Sequence, residues 1–201
     1  MVLGGGFSAC KVRGGGAIID PISILNFQKG DVTMEAYTIT PAAPADAAAI
    51  LDYLKQLGGE TNNLSFGAEG LPFTIAEEEA YLAAREGSRD CRMLLVKQNG
   101  QIIGDASVER LPRRMRHRGS IGISVLKAHW GRGIGSALMA QLIAFAKENG
   151  FAQLELEVRS DNARAIRLYE KFGFQKLCTH PDFFRIGGQR FAFDLMLLPL
   201  D

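Results

Sequence analysis

The stretch "HWGRGIGSALM", residues 129–139, decides how this chain is expected to fold. It places Gly131, Gly133 and Gly135 at alternate positions and then runs directly into a segment with the apolar spacing of a helix. Glycines leave room for a ligand to approach the backbone, and the first turn of a helix presents N–H groups that have no partner inside the helix. The stretch therefore predicts a strand-to-helix loop that suits a phosphate or diphosphate.

Three kinds of phosphate ligand use such a loop. A nucleoside-triphosphate loop needs a lysine followed by Ser or Thr after its last glycine, and none follows here. A dinucleotide fingerprint needs a third glycine where this chain has Leu138, which weakens that interpretation. Coenzyme A remains as the ligand, and a tight turn that binds nothing remains as the alternative.

The chain from Met34 onward alternates between strand and helix signals in the order βααβββαβαββ. Asn99-Gly100 predicts a hairpin, and the spacing of Thr74 and Glu77 predicts a capping box at a helix start. A strand, a helix and a strand between Gly119 and Val158 require a parallel pair, whereas the hairpins require antiparallel pairs. We therefore expect an α+β fold with a mixed, mostly antiparallel sheet flanked by helices. The predicted strands cover residues 36–40, 91–98, 101–110, 119–126, 151–158, 174–180 and 189–198, and the predicted helices cover 44–57, 74–86, a segment that ends at Gly150, and 161–172.

Residues 1–33 differ from the rest, because they hold two triple-glycine runs and show no clear period. We expect a flexible N-terminal extension there and a single domain over residues 34–201.

Composition argues against several classes of partner. With 23 basic and 22 acidic residues, the net charge of +1 gives no general reason to expect nucleic acid or an anionic membrane. No apolar stretch approaches the roughly 20 residues that span a bilayer. The three cysteines form no C-x-x-C pair, which predicts reduced thiols in a cytoplasmic protein and no metal site. The arginine-rich run over residues 110–118 is interpreted as a solvated loop between two strands.

A second motif, "DNARAIRLYEKFGF" at residues 161–174, follows the glycine loop. Together with "GISVLKAHWGRGIGSALM" at residues 122–139, it resembles the GNAT superfamily of acyl-CoA N-acyltransferases, over roughly Met34 to Leu198 in segment order. The resemblance implies a GNAT-like fold in which one parallel strand pair splays apart. It also implies transfer of an acetyl group from acetyl-CoA, as cosubstrate and without a metal, to an amine that attacks the thioester directly.

The same resemblance implies roles for individual residues. Asn162 matches a residue that contacts the pantetheine arm, and Tyr169 matches one near the coenzyme sulfur that can act as general acid. Their local alternatives are a helix cap for Asn162 and core packing for Tyr169. The family usually has Arg or Gln where this chain has Trp130. The pantetheine arm maps onto Ile123, Ser124 and Val125, and the diphosphate onto the backbone of Gly131, Arg132, Gly133, Ile134, Gly135 and Ser136.

The general base is harder to predict, because the strand before the loop carries no carboxylate. The nearest carboxylates in sequence are Glu109, Glu155 and Glu157, and Glu109 is the predicted base. The acceptor is either a small-molecule amine or a protein amino group, and a homodimer through the last strand stays open. Two alternative functions also stay open: an idle acyl-CoA-binding sensor or regulatory module, and an oligomer scaffold.

Overall fold

A computed structural model describes residues 36–200 as one seven-stranded sheet with helices on both faces. The predicted extension over residues 1–33 lies outside the described residues. The strands are Thr38–Pro41 (β1), Cys91–Gln98 (β2), Gln101–Arg110 (β3), Arg118–Val125 (β4), Gln153–Arg159 (β5), Gln175–Ile186 (β6) and Gln189–Pro199 (β7). The α-helices are Ala47–Glu60 (α1), Ile75–Ala83 (α2), Ile134–Glu148 (α3) and Ala163–Lys171 (α4).

The element order and the mixed sheet confirm the predicted fold class. The strands lie in the order β1-β2-β3-β4-β5-β7-β6, and β4 with β5 is the parallel pair among antiparallel neighbours. Asn99 and Gly100 both have positive φ, at 50° and 78°, as a two-residue hairpin turn requires. At the start of α2 the Glu77 N–H donates to Thr74 Oγ1 at 3.2 Å, which confirms the predicted cap.

Three predicted boundaries are wrong. Helix α1 continues through Gly58 and Gly59 to Glu60 rather than ending at residue 57. Helix α2 ends at Ala83 rather than near Glu86. Strand β6 runs to Ile186 rather than to His180, because it resumes its pairing with β7 after an irregular segment that contains Pro181. Proline has no N–H to donate to the neighbouring strand, and a residue within a bulge is left unpaired, so Pro181 is tolerated at this place.

The two faces of the sheet carry different helices. Helices α3 and α4 cover one face, where Leu138, Leu142 and Tyr169 pack in the larger core cluster. Helices α1 and α2 cover the other face, where Ile50 and Leu82 pack in a smaller cluster. Among the described residues, no helix is long and apolar enough to cross a membrane.

The parallel pair of β4 and β5 is short. Three residues from Arg118 to Ser120 pair with Gln153 to Glu155, and the two strands then part. Beyond that point β4 stays paired with β3 as far as Val125, and β5 stays paired with β7 as far as Arg159. The resulting gap, called the fork below, confirms the predicted splayed strand pair.

A polar network ties α1 to the strands beside the fork. The hydroxyl groups of Tyr53 and Ser124 lie 2.6 Å apart, Ser124 Oγ donates to the Asp105 carboxylate, and Tyr53 Oη lies 3.4 Å from the same oxygen. No cation among the described residues pairs with Asp105. Burial raises the pKa of Asp105 to about 6 from an ordinary 3.8, although both hydroxyl groups stabilise its charged form.

The end of α1 also fixes the loop that follows it. A Cβ atom at Gly58 would fall on the backbone carbonyl of Gly67, so the helix and the loop approach each other more closely than any side chain permits. At the adjacent Gly59, an added Cβ would meet Ala68 Cβ at an ordinary 3.6 Å.

These neighbouring glycines form a matched pair for substitution. We expect Gly58→Ala to lower the free energy of unfolding by about 2 kcal/mol or more, because loop and helix must separate. Gly59→Ala should raise it by about 0.5–1 kcal/mol, because alanine favours the helix without a clash. Urea denaturation measures both values, and equal effects of the two substitutions would contradict the close approach.

The raised pKa of Asp105 predicts a pH-dependent effect of Asp105→Asn. Asp105 holds its proton more tightly in the folded than in the unfolded protein, so the protonated carboxyl group stabilises the fold. This contribution is complete below about pH 3.8 and is lost as the pH rises through about 6. We therefore expect the Asn variant to exceed the parent by up to about 3 kcal/mol in unfolding free energy at pH 8. The difference should vanish below pH 4. Asp52→Asn, at a side chain that is 82% exposed, is the control, and a gap that does not change with pH would refute the assignment.

Candidate functional site

One cavity of about 660 Å³ opens in the fork between β4 and β5. It is lined by residues of β3, β4, α3, α4 and the glycine loop, which the fold brings together from distant parts of the sequence. The residues predicted for the site that line it are Glu109, Ile123, Ser124, Val125, Gly131, Gly133, Ile134, Gly135, Ser136, Asn162 and Tyr169.

The glycine loop takes its shape from left-handed backbone at two positions. Gly131 and Gly133 have φ angles of 77° and 79°, which residues with a Cβ atom rarely adopt. Gly133 directly precedes α3, so the N–H groups of the first turn of this helix point into the cavity mouth. A Cβ at Gly135 would lie 3.0 Å from Leu168 Cδ2, so this glycine allows α4 to pack against the start of α3.

The edge of β4 that faces the fork presents backbone groups to the cavity. The Leu126 N–H, directly after β4, donates to the Ile103 carbonyl of the neighbouring strand β3. Because N–H and C=O groups alternate in direction along a strand, those of Val125 and Ile123 point the other way, into the gap that β5 leaves. This edge can therefore pair with an extended amide-containing ligand.

Trp130, which departs from the family pattern, lies at the mouth of the fork. Its indole N–H donates to the Val125 carbonyl at 2.6 Å, and the Arg164 guanidinium lies 3.1 Å from the centre of its ring. The side chain thus joins the edge of β4 to α4 across the opening.

The Arg132 side chain does not line the cavity. Its guanidinium donates to Gln98 Oε1 at 3.1 Å and lies 2.8 Å from His129 Nδ1. These contacts hold the charge beside the end of β2, so Arg132 takes part in the loop through its backbone.

Asn162 and Tyr169 both come from α4. Asn162 is the N-cap of this helix, because its side-chain oxygen accepts the Ala165 N–H at 3.2 Å, and it also lines the cavity. Tyr169 is 8% exposed, and its ring lies 5.9 Å from that of Phe174. Burial raises the pKa of Tyr169 to about 12, so the phenol keeps its proton at neutral pH. The helix cap at Asn162 and the core packing of Tyr169, the two local alternatives given by the sequence, are thus both present. They fix the orientation of the two side chains.

The three candidate carboxylates have different surroundings. Glu155 forms an ion pair with Arg118 where β4 and β5 are still paired. Glu109 lines the cavity and lies 3.3 Å from the Arg85 guanidinium. Glu157 lines the cavity two residues beyond Glu155, the last residue of β5 that pairs with β4, and the two side chains lie on the same face of the strand.

Sequence reasoning missed two groups around the cavity. Tyr53 and Asp105 hold Ser124 through the polar network described above. These residues lie far apart in the sequence, so no local motif predicts their contact. Phe183 and Phe184 line the cavity from the part of β6 that was not predicted to be strand. Within residues 36–200, no three side chains of His, Cys, Asp or Glu form a group that could hold a metal ion.

Comparisons with known proteins agree with this geometry. The profile of the "Acetyltransferase (GNAT) family" matches residues 60–174, more than half of the chain. The chain is 34% identical over 93 residues to N-alpha-acetyltransferase RimI of Mycobacterium tuberculosis, and this alignment covers 46% of the chain and 57% of the relative. It is 30% identical over 122 residues to the [ribosomal protein bS18]-alanine N-acetyltransferase of Escherichia coli K12, and that alignment covers 61% of the chain and 80% of the relative.

A solved structure shares the fold. The structure of yncA from Salmonella typhimurium, described as containing its cofactor acetyl-CoA, superposes with a TM-score of 0.71 at 26% identity. The superposition covers 82% of this chain and 94% of the other. With its fork, its glycine loop and the match over residues 60–174, this chain belongs to the acetyltransferase (GNAT) family.

Proposed function

We propose that the protein transfers an acetyl group from acetyl-CoA to the primary amine of an acceptor. The observation that carries this proposal is that one cavity joins the glycine loop, the open edge of β4, Asn162 and Tyr169. The loop fits the coenzyme, because Gly131 has no atom within 4 Å of the position of a Cβ and so leaves the approach to the backbone clear. Acetyl-CoA supplies the activated thioester when it is bound.

Backbone groups do most of the binding in this proposal. The N–H groups of Ile134, Gly135 and Ser136, with the positive end of the α3 dipole behind them, hold the diphosphate. Lys171 Nζ lies 3.5 Å from Ser136 Oγ and adds a positive charge there. The edge of β4 pairs with the pantetheine amides through the backbone of Ile123 and the N–H of Val125, since the Val125 carbonyl already accepts the Trp130 indole N–H.

Tyr169 acts as the general acid. Its phenol is buried and protonated at neutral pH, because burial raises its pKa to about 12. It donates this proton to the sulfur of the departing thiolate.

A base or a chain of water molecules must take a proton from the acceptor, because an alkylammonium group, with a pKa of about 10, or an α-ammonium group, with a pKa of about 8, is not a nucleophile. We propose Glu157 as this base, because it lines the cavity two residues beyond the last pair between β4 and β5, whereas Glu109 is level with Ser120, which is still paired with β5. Glu109, the choice made from sequence, stays a prediction that the same experiment tests.

The names of the curated relatives suggest classes of acceptor. One is an N-alpha-acetyltransferase, and the other acts on an alanine of a ribosomal protein. The amine of a protein or peptide therefore joins the small-molecule amine among the proposed acceptors. An acceptor of the ribosomal class would place the enzyme in the cytoplasm. The homodimer and the absence of nucleic-acid and membrane partners stay predictions.

Binding of the coenzyme to the loop is tested by Gly131→Glu. The new carboxylate would face the diphosphate, so we expect the Kd for acetyl-CoA to rise at least about 10-fold in a calorimetric titration. Gly188→Glu is the matched control, because Gly188 has a similar φ of 80°, equally open surroundings and no place in the cavity. Equal affinities of the two variants would show that the loop does not hold the diphosphate, and a folded parent that fails to bind would refute the transferase proposal.

The proton-transfer roles are tested by Tyr169→Phe and Glu157→Gln. Each should lower kcat by about 10²-fold or more and leave the Kd for acetyl-CoA unchanged, because each removes a proton transfer and not a binding contact. Release of the coenzyme thiol, followed across pH, measures the rates.

The two carboxylate variants together assign the base. Glu157→Gln should lower kcat by about 10²-fold, whereas Glu109→Gln should keep kcat near that of the parent. The reverse result would make Glu109 the base. Coenzyme binding without turnover of any amine would instead support the idle sensor.

A further inference from the structure

The two faces of the sheet divide the cavity into a coenzyme side and an acceptor side. The glycine loop, Asn162 and Tyr169 belong to α3, α4 and their approach, on one face. Glu157 lies on the opposite face, and Phe193, which pairs with Arg159, extends the same row of side chains. An amine that reaches the thioester from this second face therefore passes Glu157 and the residues beside it.

An aromatic wall stands on that second face. The ring of Phe193 lies 4.7 Å from that of Phe183 and 4.4 Å from that of Phe184, and all three line the cavity. Phe193 is 4% exposed, whereas the other two are half-buried and keep part of their surface toward the cavity.

The bulge in β6 builds this wall. His180 pairs with Phe193 and Phe184 pairs with Phe191, so residues 181–183 oppose the single residue Ala192. The extra length turns Phe183 toward the cavity, and Asp182 holds the bulge through Arg185 at 2.9 Å.

The charges on the cavity lining match a single positive charge. Glu60, Glu109 and Glu157 contribute three negative charges, and Arg159 and Arg164 contribute two positive ones, which leaves −1 with His129 neutral. Including the ion pairs of these side chains leaves the same sum, because Glu109 pairs with Arg85 and Arg159 pairs with Asp161 at 2.6 Å. A polycation would therefore bring more positive charge than the lining can neutralise.

We propose that the acceptor is a primary amine with one positive charge and a bulky apolar group next to it, which packs against Phe183, Phe184 and Phe193. This inference rests on the proposed function and names its substrate class. The ammonium group lies at Glu157 and gives up its proton there, and the apolar group replaces water on the aromatic wall. A free amine and the first residue of a peptide share this chemistry.

The experiment compares acceptors of equal charge. Phenylalaninamide, leucinamide and glycinamide differ only in the apolar group, and spermidine and kanamycin represent polycations. We expect kcat/KM for phenylalaninamide to exceed that for glycinamide by about 10- to 100-fold, the effect of burying one large apolar side chain. Peptides that begin with Phe or Gly form a second arm of the experiment. If the Phe-to-Gly ratio of kcat/KM is larger for the peptides than for the amides, the acceptor is the N-terminus of a peptide.

Two substitutions connect the preference to the wall. Phe183→Ala should reduce the advantage of phenylalaninamide over glycinamide to a few-fold, and the Kd for acetyl-CoA shows whether the coenzyme side of the cavity is intact. Leu177→Ala is the control, because Leu177 lies on the same strand, is 57% exposed and does not line the cavity. Phe183→Leu, which keeps an apolar side chain, should retain most of the advantage if the Ala variant loses stability.

Binding separates this inference from the proposed function. Calorimetric titration of phenylalaninamide and glycinamide into the protein saturated with coenzyme A measures acceptor affinity without turnover. Tighter binding of phenylalaninamide supports the apolar subsite even if no amine is acetylated, an outcome that would refute only the transferase activity. Equal binding of the two amides, or faster acetylation of spermidine than of phenylalaninamide, overturns the inference.

Discussion

The parting of β4 and β5 after three paired residues is the constraint on which the rest of the structure depends. Each strand keeps a full ladder with its outer neighbour, so the sheet stays intact while its centre opens. Backbone donors and acceptors that face such a gap are costly unless something pairs with them. An edge of this kind inside a protein is therefore suited to an extended ligand that carries its own amide groups.

The fork also explains why the helices are arranged as they are. Because α3 joins the two parallel strands, its N-terminus lies at the open end of the gap, where its dipole favours an anion. Helix α4 follows β5 and carries Asn162 and Tyr169 along the same face. Helices α1 and α2 are left to cover the opposite face, and their connecting loop, which packs closely against Gly58, lines the cavity from that side.

Local chemistry made much of the fold and the glycine loop at one end of the cavity predictable. Asn99-Gly100, the cap at Thr74 and the glycines of the loop act over a few residues, and each has a conformation that few other residues adopt. The remaining features depend on contacts between distant residues. Asp105 meets Tyr53 across 52 positions, and Pro181 marks a bulge only because β7 continues beside it. A proline within a strand pattern indicates a break, and only the partner strand shows that pairing resumes.

Trp130 stands where the family usually has Arg or Gln, and its two contacts show what the indole contributes here. An arginine at this position could donate to the Val125 carbonyl, but it would bring a second positive charge to Arg164 on the facing helix. A glutamine could donate the same hydrogen bond but would offer no surface to the guanidinium. The indole provides both, because its N–H reaches Val125 at 2.6 Å while its face accepts Arg164 at 3.1 Å. Trp130 and Arg164 are therefore a mutually consistent pair, in which a neutral aromatic donor at the loop permits a cation on α4 at the mouth of the fork.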